Sequence, residues 1–548
     1  MADGGEGIEV TGFFQANSQG RAAIWRAALS VILLGAGVSA QAEGAQSGPY
    51  AHALAEAVSD DPALAAYYRD HDYADLWTGA DDADRRAALL AAFAGAGDHG
   101  LPTRRYDPAA LIESFKAART EGDRGRVEAA MSRAYLSYAR DLSSGALTPK
   151  KVDPGIVREI ARPEATALLQ AIAASPTPRS YLQSLAPAAP EYARLMKEKL
   201  RLEAKGGWGP EIAASALGPG DSGAAVLALR NQLIARGYLR PTAVAGYDQT
   251  LLRAVQRFQL DNGLTADGRA GASTIAALNV PVSDRLKSIT VALERLRWMG
   301  DAPRGSRHIW VNQPDFVARI IDDGRTTFQT RVVIGKNVED QRSPEFSDEM
   351  EYMVVNPSWG VPRSIIVKEY LPLLQRNRNA VGHLQVVDGK GRVVPRGAVN
   401  FAAYSASSFP FGLRQPPSDG NALGKVKFMF PNQYNIYLHD TPAKNLFANE
   451  VRAYSHGCIR LGDPIDFAYV LLARQSDDPK ALFQSELDSK QESSLSLATK
   501  VPVHLVYFTA WPQGRGQEIG YRADVYGRDA RLYAALQEAG VVLGGEGG

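Results

Sequence analysis

The sequence predicts a multidomain α+β chain. Residues about 45–205 repeat apolar side chains at helical spacing, residues about 213–279 read as three short helices joined by glycine turns, and β-rich runs with hairpin signals begin after about residue 305. A length of 548 residues suits three or four domains at roughly 100–200 residues each. Apolar residues make up 45% and charged residues 22%, which excludes a wholly disordered or fibrous chain. Lys plus Arg number 61 against 60 for Asp plus Glu, so the chain has no basic footprint for nucleic acid.

The first segment, 1–42, reads as an N-terminal extension and a secretory signal. Arg21 and Arg26 precede the apolar stretch Ala27 to Val38, and Val38-Ser39-Ala40 and Ala40-Gln41-Ala42 both fit a small-residue cleavage site. The apolar run falls short of the ~20 residues that span a bilayer, which favours a cleaved signal over a retained anchor. Asp3, Glu6 and Glu9 ahead of the basic region point to a start codon downstream of Met1. The expectation is an exported protein.

The block 45–205 is rich in Ala, Leu, Arg and Glu. Leu89, Leu90, Ala92 and Phe93, and again Met131, Ala134, Tyr135 and Tyr138, mark helical faces. It carries no chemical motif and reads as a helical scaffold. In 213–279, Val226, Leu229, Leu233 and Ile234 form one apolar face, ended by Gly237. Asp248 caps a second helix with Leu251, Leu252, Val255 and Phe258, and Ile275 and Leu278 lie on a third. Arg230 and Arg253 are expected on the exposed surface. A module of this size is too small to hold an enzyme cleft. Its segments GDSGAAVLALRNQL, YDQTLLRAVQRFQLDNGL and DGRAGASTIAALN resemble the peptidoglycan-binding module of exported cell-wall enzymes, which implies peptidoglycan as a partner.

Further on, His308–Asn312, Val317–Ile321, Phe328–Ile334 and Met353–Val355 read as strands, with a hairpin at Asp323-Gly324. Residues 370–425 are long on Pro, Gly, Asn and Ser but hold Tyr404, Phe409 and Phe411, so a lid or substrate wall is expected rather than a linker. In the tail, 476–548, Val501–Phe508 is a strand and Tyr521–Gln537 a helix.

Cys458 is the single cysteine, which rules out an internal disulfide and cysteine-based metal clusters. In an exported chain a lone thiol has no structural partner. It sits in Tyr454-Ser455-His456-Gly457-Cys458-Ile459-Arg460-Leu461, nineteen residues after His439 in Tyr437-Leu438-His439-Asp440-Thr441. A thiol attacks a carbonyl as thiolate, and a nearby imidazole accepts its proton. By spacing alone either histidine could serve: His456 two residues away on an extended strand, or His439 from a neighbouring one. Gly457 allows close backbone approach, and its amide and that of Cys458 are candidates to hold an oxyanion. The remaining histidines, His52, His71, His99, His308, His383 and His504, show no metal-ligand spacing. No metal or cofactor is expected.

SHGCIRL with the upstream YLHDTP resembles the active site of the L,D-transpeptidase family, over a catalytic domain at about 306–475 completed by the tail. The order of signal, scaffold, binding module and catalytic domain, and Asn356-Pro357-Ser358-Trp359, resemble its larger periplasmic branch. The resemblance implies a mostly antiparallel β-sandwich with a lid insertion. It implies Cys458 as nucleophile, His439 as base and later acid, and His456 as a shaping residue. The amides of Gly457 and Cys458, with the Tyr437 hydroxyl, would form the oxyanion hole. Arg460, Trp359 and Ser455 would meet substrate. Asp440 stands where many small members carry Gly. The implied reaction cuts a tetrapeptide stem at the meso-diaminopimelyl carbonyl and passes the acyl group to a second stem, giving a 3→3 cross-link. Carbapenem acylation of Cys458 is implied as well, and other cell-wall synthesis proteins are possible partners. An L,D-carboxypeptidase, an enzyme attaching or releasing a wall protein, and a non-catalytic wall-binding protein stay open as alternatives.

Overall fold

A computed structural model describes residues 48–513 and 519–543. The expected signal at 1–42 lies outside the described residues. Among those described, no helix is long and apolar enough to cross a membrane.

The scaffold packs short helices from Pro49–Ala57 to Pro178–Ser184 around one long helix, Glu121–Ser144, started by a capping box between Thr120 and Asp123. Leu89, Phe93, Met131, Tyr135 and Tyr138 lie in its core, as their spacing predicts. Glu128 is fully buried there and accepts from the backbone N–H groups of Leu76, Trp77 and Thr78, which pins that irregular loop. The last helix of the expected 45–205 block, Pro190–Lys205, joins a different core, with the helices Val282–Met299 and Arg528–Ala539.

The helix Val282–Met299 links the small module to the β domain. It buries Arg285, Glu294, Arg295 and Arg297 as well as its apolar residues. Arg295 reaches Glu345 at 3.2 Å and Asp529 at 2.5 Å, while Arg528 reaches Asp153 at 3.5 Å and Glu345 at 3.6 Å. Glu345 also donates its N–H to Gly155 O at 2.8 Å and accepts from Val157 N at 3.0 Å. Scaffold, linking helix, β domain and C-terminal helix therefore share one buried ionic network. Such a network adds little net stability, but removing one member strands the others.

The module at 213–279 folds as expected, with helices Ala224–Ala235, Gln249–Asp261 and Ala272–Asn279. Asp248 caps the second, accepting from Leu251 N at 2.7 Å. One expectation fails. Arg230 is 2% exposed, bound to Gly246 O and Asp248, because it lies on the face that closes the loop between the first two helices. Arg253 is exposed.

The β domain is a nine-stranded sheet: β1 (Arg307–Asn312), β2 (Val317–Asp322), β3 (Arg325–Gly335), β4 (Phe346–Val355), then β9 (Val426–Met429), β10 (Leu438–His439), β11 (Ala453–Ser455), β12 (Ile459–Leu461) and β13 (Ser493–Val506). The order is β11-β3-β12-β10-β9-β4-β13-β1-β2, and β2 pairs with β3, so the two layers of the sandwich are one sheet closed on itself. Pairs β1–β13, β10–β12 and β3–β11 are parallel and the rest antiparallel. Inside lie Val332, Met353, Phe428, Leu438, Ile459, Leu461 and Leu505, covered by the helix Pro464–Leu472.

The insertion between β4 and β9 is more regular than its composition suggests. Strands β5 (Trp359–Gly360), β6 (Gln385–Val387), β7 (Val393–Val394) and β8 (Gly412–Gln415) form a sheet in the order β5-β8-β6-β7. A helical stretch at 363–376, with a π-helical turn at Ile366–Tyr370, packs on it. Ile366, Leu374, Val386, Phe401, Phe409 and Leu413 give it a core of its own. The tail adds the helix Pro479–Asp488 before β13, then the hairpin β14 (Ala510–Pro512) and β15 (Ile519–Tyr521), then the helix Arg528–Ala539. The helix expected from Tyr521 therefore starts later, because 519–521 pairs with β14.

Candidate active site

The site stands where β10 and β12 run parallel, with Leu438 opposite Ile459 and His439 opposite Arg460. Side chains alternate along a strand. Leu438, Ile459 and Leu461 point into the core and are 0% exposed. Tyr437 and His439, and across from them Cys458 and Arg460, therefore share the opposite face. The Ile459 N–H donates to Tyr437 O at 3.1 Å and fixes the register at the nucleophile.

His439 is buried, and its Nδ1 lies 2.5 Å from Asp440 O. That carbonyl can only accept, so Nδ1 carries the proton and Nε2 keeps its lone pair. The Asp440 carboxylate takes no part in this. It accepts from Lys425 N at 2.8 Å, from Thr441 N at 2.7 Å and from Lys444 Nζ at 2.7 Å. The residue at this position thus leaves the ring's orientation to its own main chain. Burial, then Arg460, hold the His439 pKa down at about 3. Burial pushes Cys458 up to about 11, against the Tyr437 backbone and hydroxyl and Arg460, which favour thiolate. The resting pair is a neutral thiol and a neutral imidazole.

The turn before the nucleophile is braced from within. Ser455 Oγ donates to Cys458 O at 2.6 Å and accepts from Gly457 N at 3.2 Å. Ser343 Oγ donates to Gly457 O at 2.6 Å. Gly457 has φ +117°, and a Cβ there would meet Ile436 Cδ1 at 3.2 Å, so both backbone and space call for glycine. Two expectations change accordingly. The Gly457 amide is engaged by Ser455 and is not a free oxyanion donor. Ser455 is 2% exposed with its hydroxyl committed on both sides, so it holds the turn rather than substrate. The Cys458 amide has no hydrogen-bond partner among the described residues.

The thiol donates to Asn435 O, with Sγ 3.6 Å away. Asn435 sits at φ +53°, in a loop whose ends Asn432 ties by donating to Phe430 O at 2.6 Å and Ile436 O at 2.7 Å. Arg460 makes no ion pair among the described residues, and its Nε is buried without a partner. A structural salt bridge is thus not its role.

His456 turns away toward the insertion, with Nε2 2.6 Å from Glu369 Oε1. Glu369 lies in the π-helical turn, and the adjacent Lys368 pairs with Asp340 in the β3–β4 loop. Neither tie was legible in sequence. Trp359, expected to meet substrate, pairs with Gln415 of β8 and packs against the insertion's core. Among the described residues no group of His, Cys, Asp and Glu is arranged to hold a metal ion.

Three family models match the chain: a scaffold domain over 62–198, a "Putative peptidoglycan binding domain" over 222–278 and an L,D-transpeptidase catalytic domain over 306–501. A Haemophilus influenzae protein described as "Putative L,D-transpeptidase" is 31% identical over 255 residues, 46% of this chain and 50% of that protein. The chain thus matches half the length of that curated relative. Among solved structures, an L,D-transpeptidase from Xylanimonas cellulosilytica is 16% identical with a TM-score of 0.16, covering 54% of this chain and 100% of that one. One from Stackebrandtia nassauensis is 15% identical with a TM-score of 0.22, covering 54% and 96%.

Proposed function

The chain belongs to the L,D-transpeptidase family, and from that premise we propose that it forms 3→3 cross-links in peptidoglycan through a thioester on Cys458. The observation that carries the reading is the shared sheet face. It sets Cys458 beside a histidine whose Nε2 keeps its lone pair and beside the Tyr437 hydroxyl, with a Cys458 amide and an Arg460 guanidinium that are unpaired among the described residues.

In the first half-reaction a donor stem lies with its diaminopimelyl carbonyl carbon at Sγ. The thiol proton passes to His439 Nε2 as the S–C bond forms, so the step needs no free thiolate at rest. The oxyanion is held by the Cys458 N–H and the Tyr437 hydroxyl. Collapse breaks the C–N bond, and the D-Ala amine leaves with the proton from His439. In the second half-reaction the side-chain amine of another diaminopimelate attacks the thioester. It gives its proton to His439, and the sulfur leaves and recovers it. Arg460 suits a stem carboxylate because its fork donates to both oxygens.

The insertion is the lid that keeps water from the thioester until the amine arrives. The small module holds the polymer close, and such a substrate fits an exported protein. The test is mass analysis of muropeptides after incubation of the purified protein with tetrapeptide-rich sacculi. Dimers linked 3→3 are expected. Tripeptides alone would make the chain an L,D-carboxypeptidase, and no change would leave only wall binding.

A further inference from the structure

A cavity of about 750 Å³ lies where the helix Pro190–Lys205, the small module and the β14–β15 hairpin meet. It is lined by none of the residues placed around Cys458. Four of its lining groups are in states that proteins rarely leave uncompensated.

Arg236 and Arg285 both line it. Arg285 is 9% exposed, and neither has a carboxylate partner among the described residues. Arg236 donates to Gln232 and Leu278 O, and Arg285 only to Ala277 O at 2.8 Å. Burial, then the charge of Arg285, bring the pKa of Arg236 down to about 9, so the two cations feel each other across the cavity. Two aromatic rings support them from behind. Arg236 stands 4.1 Å from the Trp208 ring centroid and Arg285 4.3 Å from that of Tyr521. Both rings carry a buried polar atom with no partner: Trp208 Nε1 and Tyr521 Oη. Trp208 is 8% exposed. The acids on the wall are engaged already, Glu198 by Arg201 at 2.7 Å and Asp261 by the Tyr238 hydroxyl at 2.9 Å.

Buried donors are nearly always satisfied, and two like charges, Arg285 buried and Arg236 half-buried, are costly without an anion. One carboxylate between the guanidiniums would relieve the repulsion and accept from forks that suit it, and both rings that carry a spare donor line the same cavity. A neutral sugar would leave the charges opposed, and a cation would worsen them. The volume is that of a small-ligand site.

We propose that this cavity binds the carboxylate of a peptidoglycan stem peptide, holding one strand of the polymer at the junction of module and scaffold, apart from the catalytic turn. The choice of stem carboxylate over another anion rests on the function proposed above.

The test uses the full chain carrying Cys458→Ala, so that the probe is not consumed. The probe is a disaccharide-tetrapeptide, compared with the same molecule bearing amidated carboxylates. Hydrogen exchange read by mass spectrometry should show protection in segments 194–208, 232–238 and 278–286 with the acidic probe only. Arg285→Gln should weaken that protection about tenfold or more, as loss of a charge-assisted pair does. Tyr521→Phe is the variant safe for folding: its hydroxyl has no hydrogen-bond partner among the described residues, so its thermal midpoint should hold while binding at the cavity falls. Protection over 437–460 with none at the cavity would overturn the cavity and leave the function standing. Equal protection by the amidated probe would overturn the carboxylate. Protection at neither place would overturn both readings.

Discussion

His456 Nε2 stands 2.6 Å from Glu369 Oε1, so the residue two before the nucleophile is tied to the insertion and not to the thiol. Both side chains are partly exposed, at 29% and 41%, and such pairs contribute little to global stability. The tie therefore acts as a latch. With Lys368–Asp340 it fastens the π-helical turn beside the catalytic turn. Glu369→Gln should leave the thermal midpoint within a degree or two and raise exchange in 363–376. It should also raise the ratio of hydrolysis to cross-linking, because a looser lid admits water to the thioester. An unchanged product ratio would reduce the pair to a surface contact.

The two histidines should separate sharply. His439→Ala removes the base and should lower turnover on the order of 10²–10⁴-fold. His456→Ala should resemble Glu369→Gln. Cys458→Ala should abolish cross-linking while the fold persists. A dead His456→Ala beside an active His439→Ala would show that the roles are reversed.

The half-buried thiol should be slow to alkylate at neutral pH. With Cys458 pushed up to about 11, its reaction with iodoacetamide should keep rising above pH 9 instead of levelling there. A carbapenem should still add once per chain at neutral pH, since its carbonyl occupies the oxyanion site and His439 takes the proton. Intact-mass measurement of wild type and Cys458→Ala checks both. A plateau below pH 8 would mean that the resting pair is an ion pair.

Stability should fall on the acid side. Burial is the largest cause of the low pKa of His99 and His504, each about 4, and of His439, about 3. The unfolded chain binds these protons near the ordinary 6.5, so it gains protons first as pH falls. The contribution of the three is full above pH 6.5 and is lost progressively from there toward pH 4 and 3. Urea midpoints should be level from pH 7 to 8 and decline below about 6.5. In His504→Gln the decline should be shallower.

Ser343 Oγ, fully buried, accepts from Gly335 N at 3.0 Å and donates to Gly457 O, while Arg528 Nη2 donates to Ser343 O at 3.0 Å. Ser343→Ala leaves two buried backbone groups unpaired, at about 1–3 kcal/mol each. The thermal midpoint should drop and kcat should fall with KM little changed, because the turn that places Sγ loses its outer brace. A rise in KM with kcat unchanged would point to binding instead.

Much of this was legible in the sequence where local chemistry decides. Asp248 at a helix start, Asp323-Gly324 between strands and the His-Gly-Cys turn each behave as their residue types require. The linking helix Val282–Met299 escaped notice because Arg285, Glu294, Arg295 and Arg297 interrupt its apolar pattern. All four are buried; Arg295 pairs with partners distant in sequence and Glu294 with Arg297 on the same helix, while Arg285 donates only to Ala277 O. The insertion looked irregular because its strands are two to four residues long. Glu369 carries no local sign of its role. Only the folded insertion brings it to His456.

Strand β13 lies between β4 and β1, and both need it as a neighbour. During synthesis the turn bearing Cys458 is made before residues 493–506 exist. Until they arrive, β4 and β1 have no common partner and the sheet cannot close around its core. The ionic cluster waits longer still, for Arg528 and Asp529. A nascent or C-terminally shortened chain therefore carries the whole nucleophile motif without the packing that aligns it. A copy shortened before residue 493 should therefore be inert toward the wall, although it carries Cys458 and His439.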